Sequence, residues 1–212
     1  MNNGLAVSRS TTAFLPTLQI TLLGSFRVTS SDHPVTRFRS SKISALLVYL
    51  AVEPQAHQRA ALANFLWPGY SAESANSSLR QTLYRLRQLL QDAKADPPWL
   101  LVTRQSVQFN PAAPLQADVV TFTRLLADCM AHVHTTLTNC QPCLARLQQA
   151  VALYRGDFLA DMAIADSDPF EEWRRITQEQ FRVQAIDALT QLGNAAEQRG
   201  DVVHRSIKGH PA

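Results

Sequence analysis

A chain of 212 residues has room for one large hydrophobic core or two small ones, and 46% hydrophobic against 17% charged residues is the balance of a folded globular protein. The net charge of +3 hides a division, because residues 1–110 carry eleven Lys and Arg against five Asp and Glu while residues 111–212 carry nine against twelve. No apolar run approaches the roughly 20 residues of a membrane span, and an odd set of three cysteines does not make a disulfide framework.

A basic half joined to an acidic half points to a polyanion-binding module beside a protein-facing one. The expected compartment is a reducing cytoplasm, with no membrane partner. Residues 1–16 lack a sustained apolar stretch and a small-residue cleavage site, so they read as a disordered leader rather than a signal peptide.

Leu18 to Val28 is apolar and broken by Gly24-Ser25, which predicts a strand, a turn or bulge, and a second strand. Residues 31–34 predict a turn, and Val35 to Phe38 a further short strand. Ser40 or Ser41 then caps a helix that buries Ile43, Leu46, Leu47 and Leu50 and ends near Pro54. A second helix is expected from Gln58 to Trp67, closed by Pro68-Gly69.

The third helix, Ser71 to Leu90, dominates the basic half. Leu79, Leu83, Leu86 and Leu90 form one narrow apolar stripe, with Ala75 beside it. The opposite face carries Ser74, Ser77, Gln81, Tyr84 and Gln88, flanked by Arg80 and Arg85. These hydrogen-bonding and cationic side chains are of the kinds that read base edges in a major groove. The same pattern also describes an ordinary amphipathic surface helix. Beyond it, Trp99 to Thr103 and Ser106 to Phe109 flank Arg104-Gln105 as a hairpin without a turn glycine. Strands, three helices and a terminal hairpin, in that order over residues 17–110, describe a winged helix-turn-helix.

The run FRSSKISALLVYLAVEPQAHQRAALANFLWPGYSAESANSSLRQTLYRLRQLL resembles the DNA-binding domain of the SARP-type bacterial transcriptional activators, which is similar to the OmpR/PhoB-type winged helix. The marks are Arg39 and Lys42 before an Ala-Leu-Leu helix, Leu-Trp closing the second helix, and Leu-Arg-Gln-Thr-Leu-Tyr-Arg-Leu-Arg in the third. The sequence departs from that pattern at the wing tip, where Arg104-Gln105 replaces a frequent glycine.

Residues 111–117 read as a linker. Asp118 caps a helix through Val119, Phe122, Leu125, Leu126 and Cys129, a second helix spans Leu144 to Tyr154, and a long one runs from Pro169 to about Arg199. The long helix is expected to bury Trp173, Ile176, Phe181, Ala185, Leu189 and Leu192. Asp118-Val119, LYRGDFL, FEEWR and Arg199-Gly200-Asp201 resemble the bacterial transcriptional activator domain of the same family, built of tetratricopeptide-like helix pairs. Here it reads as cut short, over residues 118–203 with a tail of 204–212. The expected fold class is therefore mainly α with small β: a winged helix followed by a partial helical-repeat domain.

The resemblance implies a DNA-binding regulator that contacts double-stranded DNA and, through its helical domain, RNA polymerase or a second protomer. Ser74, Ser77, Arg80, Gln81 and Tyr84 are the candidates for base edges and adjacent phosphates, and Arg85 and Gln88 for the backbone further along. Arg37, Arg39, Lys42, Arg59 and Arg104 are candidate phosphate contacts, which set affinity and register without reading sequence. A protein-interaction scaffold without DNA binding is the other reading.

Two further constellations bear on chemistry. Cys129, His132, Cys140 and Cys143 have spacings that tetrahedral zinc tolerates, with His134 as an alternative to His132. Equally, cysteines are common as buried apolar residues, and histidines are common at helix ends. The acidic stretch Asp157, Asp161, Asp166, Asp168, Glu171 and Glu172 lacks the spacing of a calcium loop and reads as caps and solvated surface. There is no glycine-rich phosphate loop, G-x-S-x-G or H-E-x-x-H, so neither an enzyme nor a further cofactor is expected.

Overall fold

The computed structural model describes residues 17–31, 33–133, 136–164 and 166–208, the last eight of these by backbone alone. Strands β1 (Leu18–Thr21) and β2 (Arg27–Ser30) pair antiparallel, with Leu18 opposite Ser30. Gly24 makes the break between them at φ +112°, a conformation that side-chain-bearing residues rarely adopt. The short β3 (His33–Pro34) continues the sheet outward from β2. It falls where a turn was expected, and residues 35–39 are irregular instead of a strand.

Helix α1 (Ser41–Val52) starts at Ser40, whose hydroxyl accepts from the Lys42 N–H at 3.2 Å. A two-residue strand β4 (His57–Gln58) leads directly into α2 (Arg59–Leu66). Helix α3 (Ala72–Leu89) is capped by Ser71. Strands β5 (Leu100–Val102) and β6 (Ser106–Phe109) form the hairpin, and β4 adds to it in the order β4-β6-β5. The hairpin manages without glycine because the Thr103 hydroxyl accepts from the N–H groups of both Gln105 and Ser106, at 3.1 and 2.9 Å.

The segment expected as a linker is part of the sheet. Strand β7 (Leu115–Ala117) pairs parallel with β1, giving the order β3-β2-β1-β7. Helix α4 (Asp118–Ala131) follows at once, and the Asp118 carboxylate accepts from the N–H groups of Leu22, Leu23 and Val119 at 2.9–3.0 Å. Burial pushes this carboxyl up from its ordinary pKa, against the pull of those three donors. Asp118 therefore bridges the halves as well as opening a helix.

The acidic half continues with α5 (Gln141–Leu153) and α6 (Asp168–Lys208). Helix α6 does not stop near Arg199. It passes through Gly200 and covers most of the expected tail, since glycine weakens a helix interior without the hydrogen-bond loss and clash that proline brings. Its buried stripe is Phe170, Thr177, Phe181, Ala185, Ala188 and Ala195. Ile176 and Leu189, expected inside, are about half exposed. The face toward α4 and α5 takes Phe181 beside Phe122 and then the small Ala185 and Ala188, so Ile176 and Leu189 fall outside the packed stripe.

The two halves share one core. Leu22, Leu46, Leu66, Leu79 and Leu86 belong to the same buried cluster as Phe122, Phe158, Phe170 and Phe181. An aromatic seam crosses the junction, with Tyr49 and Phe65 on one side and Phe158, Phe170 and Trp173 on the other. The Tyr49–Trp173 and Phe65–Phe170 centroids lie 5.1 and 5.9 Å apart. Trp173 Nε1 also donates to Glu53 Oε1, and the Ser167 hydroxyl donates to the Phe65 carbonyl at 2.7 Å.

Candidate nucleic-acid interface

The leucine stripe decides how α3 sits. Ala75, Leu79, Leu83 and Leu86 are buried against the helices around them, so the opposite face must point away from the core. Ser74, Ser77, Arg80, Gln81, Tyr84, Arg85 and Gln88 are all exposed, and Tyr84 keeps 62% of its surface open. Gln81 and Tyr84 share a shallow depression with Ser77, Ser78 and Arg80. One turn on, Gln88 Nε2 donates to the Tyr84 hydroxyl at 2.6 Å, which ties the two side chains together. Glu73 supplies the lone carboxylate of α3, in its first turn.

The C-terminal end of α3 is anchored to the wing through Asp92. Its buried carboxylate accepts from Arg87 Nε at 2.7 Å and from the Leu100 N–H at the start of β5 at 3.1 Å. This fixes Arg87 as a bracing residue. The wing itself is held by Arg59, whose backbone N–H donates to the Gln105 carbonyl and whose guanidinium donates to the Thr103 carbonyl at 3.3 Å. Arg104 is exposed at the wing tip, and Arg39 is exposed ahead of α1. Arg37 is also exposed and lines a cleft with Leu89, Gln91 and Lys94 beyond the end of α3. Lys94, which the sequence reading passed over, borders both this cleft and the depression under Tyr84 and Gln88. Its signal was a cation one turn past the helix.

Lys42 does not belong to this surface. Its ammonium donates to the Leu66 carbonyl at 2.6 Å and to the Asp166 carbonyl at 3.2 Å, pairs with the Asp166 carboxylate at 2.9 Å, and lies 5.8 Å from the Trp67 ring centre. Only 7% of its side chain is exposed. A residue so enclosed makes no phosphate contact, and the expectation that placed it there is corrected.

The chain is similar in fold to part of EmbR. The solved structure of Mycobacterium tuberculosis EmbR in complex with a low affinity phosphopeptide superposes with a TM-score of 0.65 at 21% identity, over 91% of this chain. The chain spans about half the length of that structure, 51%. No family model and no curated protein sequence matches it. The EmbR-like fold is the expected one, mainly helical with small sheets, a winged helix leading into a helical half. Among the described residues, no helix is long and apolar enough to cross a membrane.

A second group of functional side chains lies at the α4–α5 corner. His132 Nδ1, Cys140 Sγ and Cys143 Sγ lie within 4.8 Å of one another, with the nitrogen 3.3 Å from each sulfur. The sulfur of Cys129, expected to join them, is not in this group. Cys129 is buried in one cluster with Cys140, Cys143, Leu147 and Ala188, and its carbonyl accepts from the Cys143 thiol at 3.8 Å. His134 lies outside the described residues.

Proposed function

We propose that the chain is a sequence-specific DNA-binding transcriptional regulator of the SARP type, with α3 in the major groove and the β5–β6 wing along the phosphate backbone. The observation that carries this reading is the outer face of α3: a cationic, hydrogen-bonding strip left open along the helix while Leu79, Leu83 and Leu86 are buried. Gln81, Arg80, Ser77, Ser74 and Tyr84 read bases and adjacent phosphates. Arg85, Gln88, Arg39, Arg37, Arg59 and Arg104 hold the backbone, joined by Lys94. The protein works in a bacterial cytoplasm and performs no catalysis.

The helical half meets RNA polymerase or a second protomer. Ile176, Val183, Ile186 and Leu189 support a protein partner, each 45–52% exposed along α6. A scaffold without DNA binding would keep this face and lose the other.

Selection of bound sequences from random duplex DNA supplies a site, on which two variants are compared. Gln81→Ala is expected to cost about 1–3 kcal/mol of specific affinity while barely changing non-specific binding. Arg39→Ala is expected to weaken both and to reduce the salt slope by about 1. Equal losses of specific and non-specific affinity in both variants would defeat the assignment. Absence of any salt-dependent retention on duplex DNA would leave the scaffold reading.

A further inference from the structure

We infer that the α4–α5 corner is a structural zinc site whose protein ligands are His132 Nδ1, Cys140 Sγ and Cys143 Sγ. Zinc bonds of about 2.0 Å to nitrogen and 2.3 Å to sulfur, at tetrahedral angles, place the two donor atoms about 3.6 Å apart. Here Nδ1 stands 3.3 Å from both sulfurs, a few tenths of an ångström inside that spacing. The Cys143 sulfur also meets Arg146 Nη1 at 3.9 Å and the Cys129 carbonyl at 3.8 Å, both longer than its approach to the ring nitrogen. A ring nitrogen presents one lone pair or one N–H, in the ring plane, and so serves one sulfur rather than two. A cation held by all three atoms accounts for the equal spacing of the nitrogen from both sulfurs.

The donor chemistry selects the ion. Two thiolates and an imidazole are soft or borderline ligands suited to zinc, and no carboxylate belongs to the group, which disfavours calcium and magnesium. Binding releases the two thiol protons to solvent, and the dication forms bonds to two thiolate sulfurs and one neutral imidazole. The assembled site carries no net charge, which suits the burial of Cys140 and Cys143. Both sulfurs also flank the start of α5, Cys140 just before it and Cys143 in its first turn, where a helix favours negative charge. His132 is at the exposed rim.

The site would fasten the approach to α5. Just before α5 lies a short 3-10 turn, Leu137–Asn139, where Thr138 donates to Gln198 of α6. Ala188 and Leu192 of α6 pack on the cysteine cluster. Metal at this corner therefore fixes the point from which the distal part of α6 extends.

The test uses the full chain purified under reductant. Elemental analysis is expected to find about one equivalent of zinc, and cobalt(II) in its place to show the intense visible bands of a tetrahedral site with sulfur-to-metal charge transfer. His132→Ala and Cys140→Ser are expected to lower affinity at least about tenfold, while Cys129→Ser retains it. Because Cys143 is fully buried, its variant is informative only if circular dichroism is unchanged, and the wild-type cobalt spectrum decides independently. Less than about a tenth of an equivalent of zinc, a cobalt spectrum without thiolate bands, or unchanged affinity in Cys140→Ser overturns the inference.

Discussion

Replacing Lys42 with methionine separates a phosphate contact from an internal tie. The substitution keeps most of the apolar stem and removes the ammonium, which bonds the carbonyl at the last residue of α2 and the Asp166 loop. The Asp166 carboxylate is 67% exposed and recovers water when released, so its pairing contributes little. The Leu66 carbonyl is the costly loss, because a buried acceptor left without its donor is worth about 1–3 kcal/mol. A destabilisation of about 2 kcal/mol corresponds to a fall in melting temperature of about 4–8 °C for a chain of this length. Urea unfolding and thermal melts read that term. Binding to random duplex DNA at several salt concentrations, well below the melt, reads the other, and its salt slope is expected to match wild type. Unchanged stability together with a slope reduced by about one phosphate would refute the enclosure argument and restore Lys42 to the DNA surface.

Three other outcomes are expected. Asp92→Ala strands the Leu100 N–H and frees Arg87, and is expected to cost about 2 kcal/mol in urea unfolding; an unchanged midpoint would mean the wing is held elsewhere. Trp173→Ala empties a site between four aromatic rings and is expected to cost about 3 kcal/mol, with both halves still melting in one transition because the seam joins them; separate transitions would count against a shared core. The Tyr154 hydroxyl is half-buried and donates to the Asp157 carboxylate, and these surroundings push its pKa up to about 12. Its folded value exceeds the unfolded value near 10, so the stability it contributes is complete below pH ~10 and drains away as pH rises through ~12. Ultraviolet difference titration of wild type against Tyr154→Phe measures that phenolate directly, and a midpoint at pH ~10 would contradict the burial argument.

What was legible in the sequence was local and periodic. Leu79, Leu83 and Leu86 repeat at helical spacing, so the inner and outer faces of α3 followed from the pattern. The hairpin about Arg104-Gln105 likewise followed from two short apolar runs. What escaped was set by distant neighbours. Nothing adjacent to Lys42 in the chain announces that Asp166, 124 residues later, covers it. Strand β7 is three residues long and finds its partner 97 positions earlier, leaving no period to detect. On α6, hydrophobicity favoured Ile176 and Leu189, whereas close helix packing favoured Ala188 and Ala195. The cysteine–histidine spacing brought the right corner to notice, but spacing does not say that the Cys129 sulfur stays out of the group.

The parallel pairing of Leu18 with Leu115 bears on how the molecule can be taken apart. During synthesis the first strand waits on one side without its neighbour until the whole wing has emerged, a delay characteristic of long-range strand partners. An excised piece ending at residue 110 would keep every outward-facing side chain of α3. It would also bare a hydrogen-bonding edge prone to self-association and strip the acceptor from the amides of Leu22 and Leu23. The smallest self-sufficient form of the winged-helix half therefore extends past the wing and into α4.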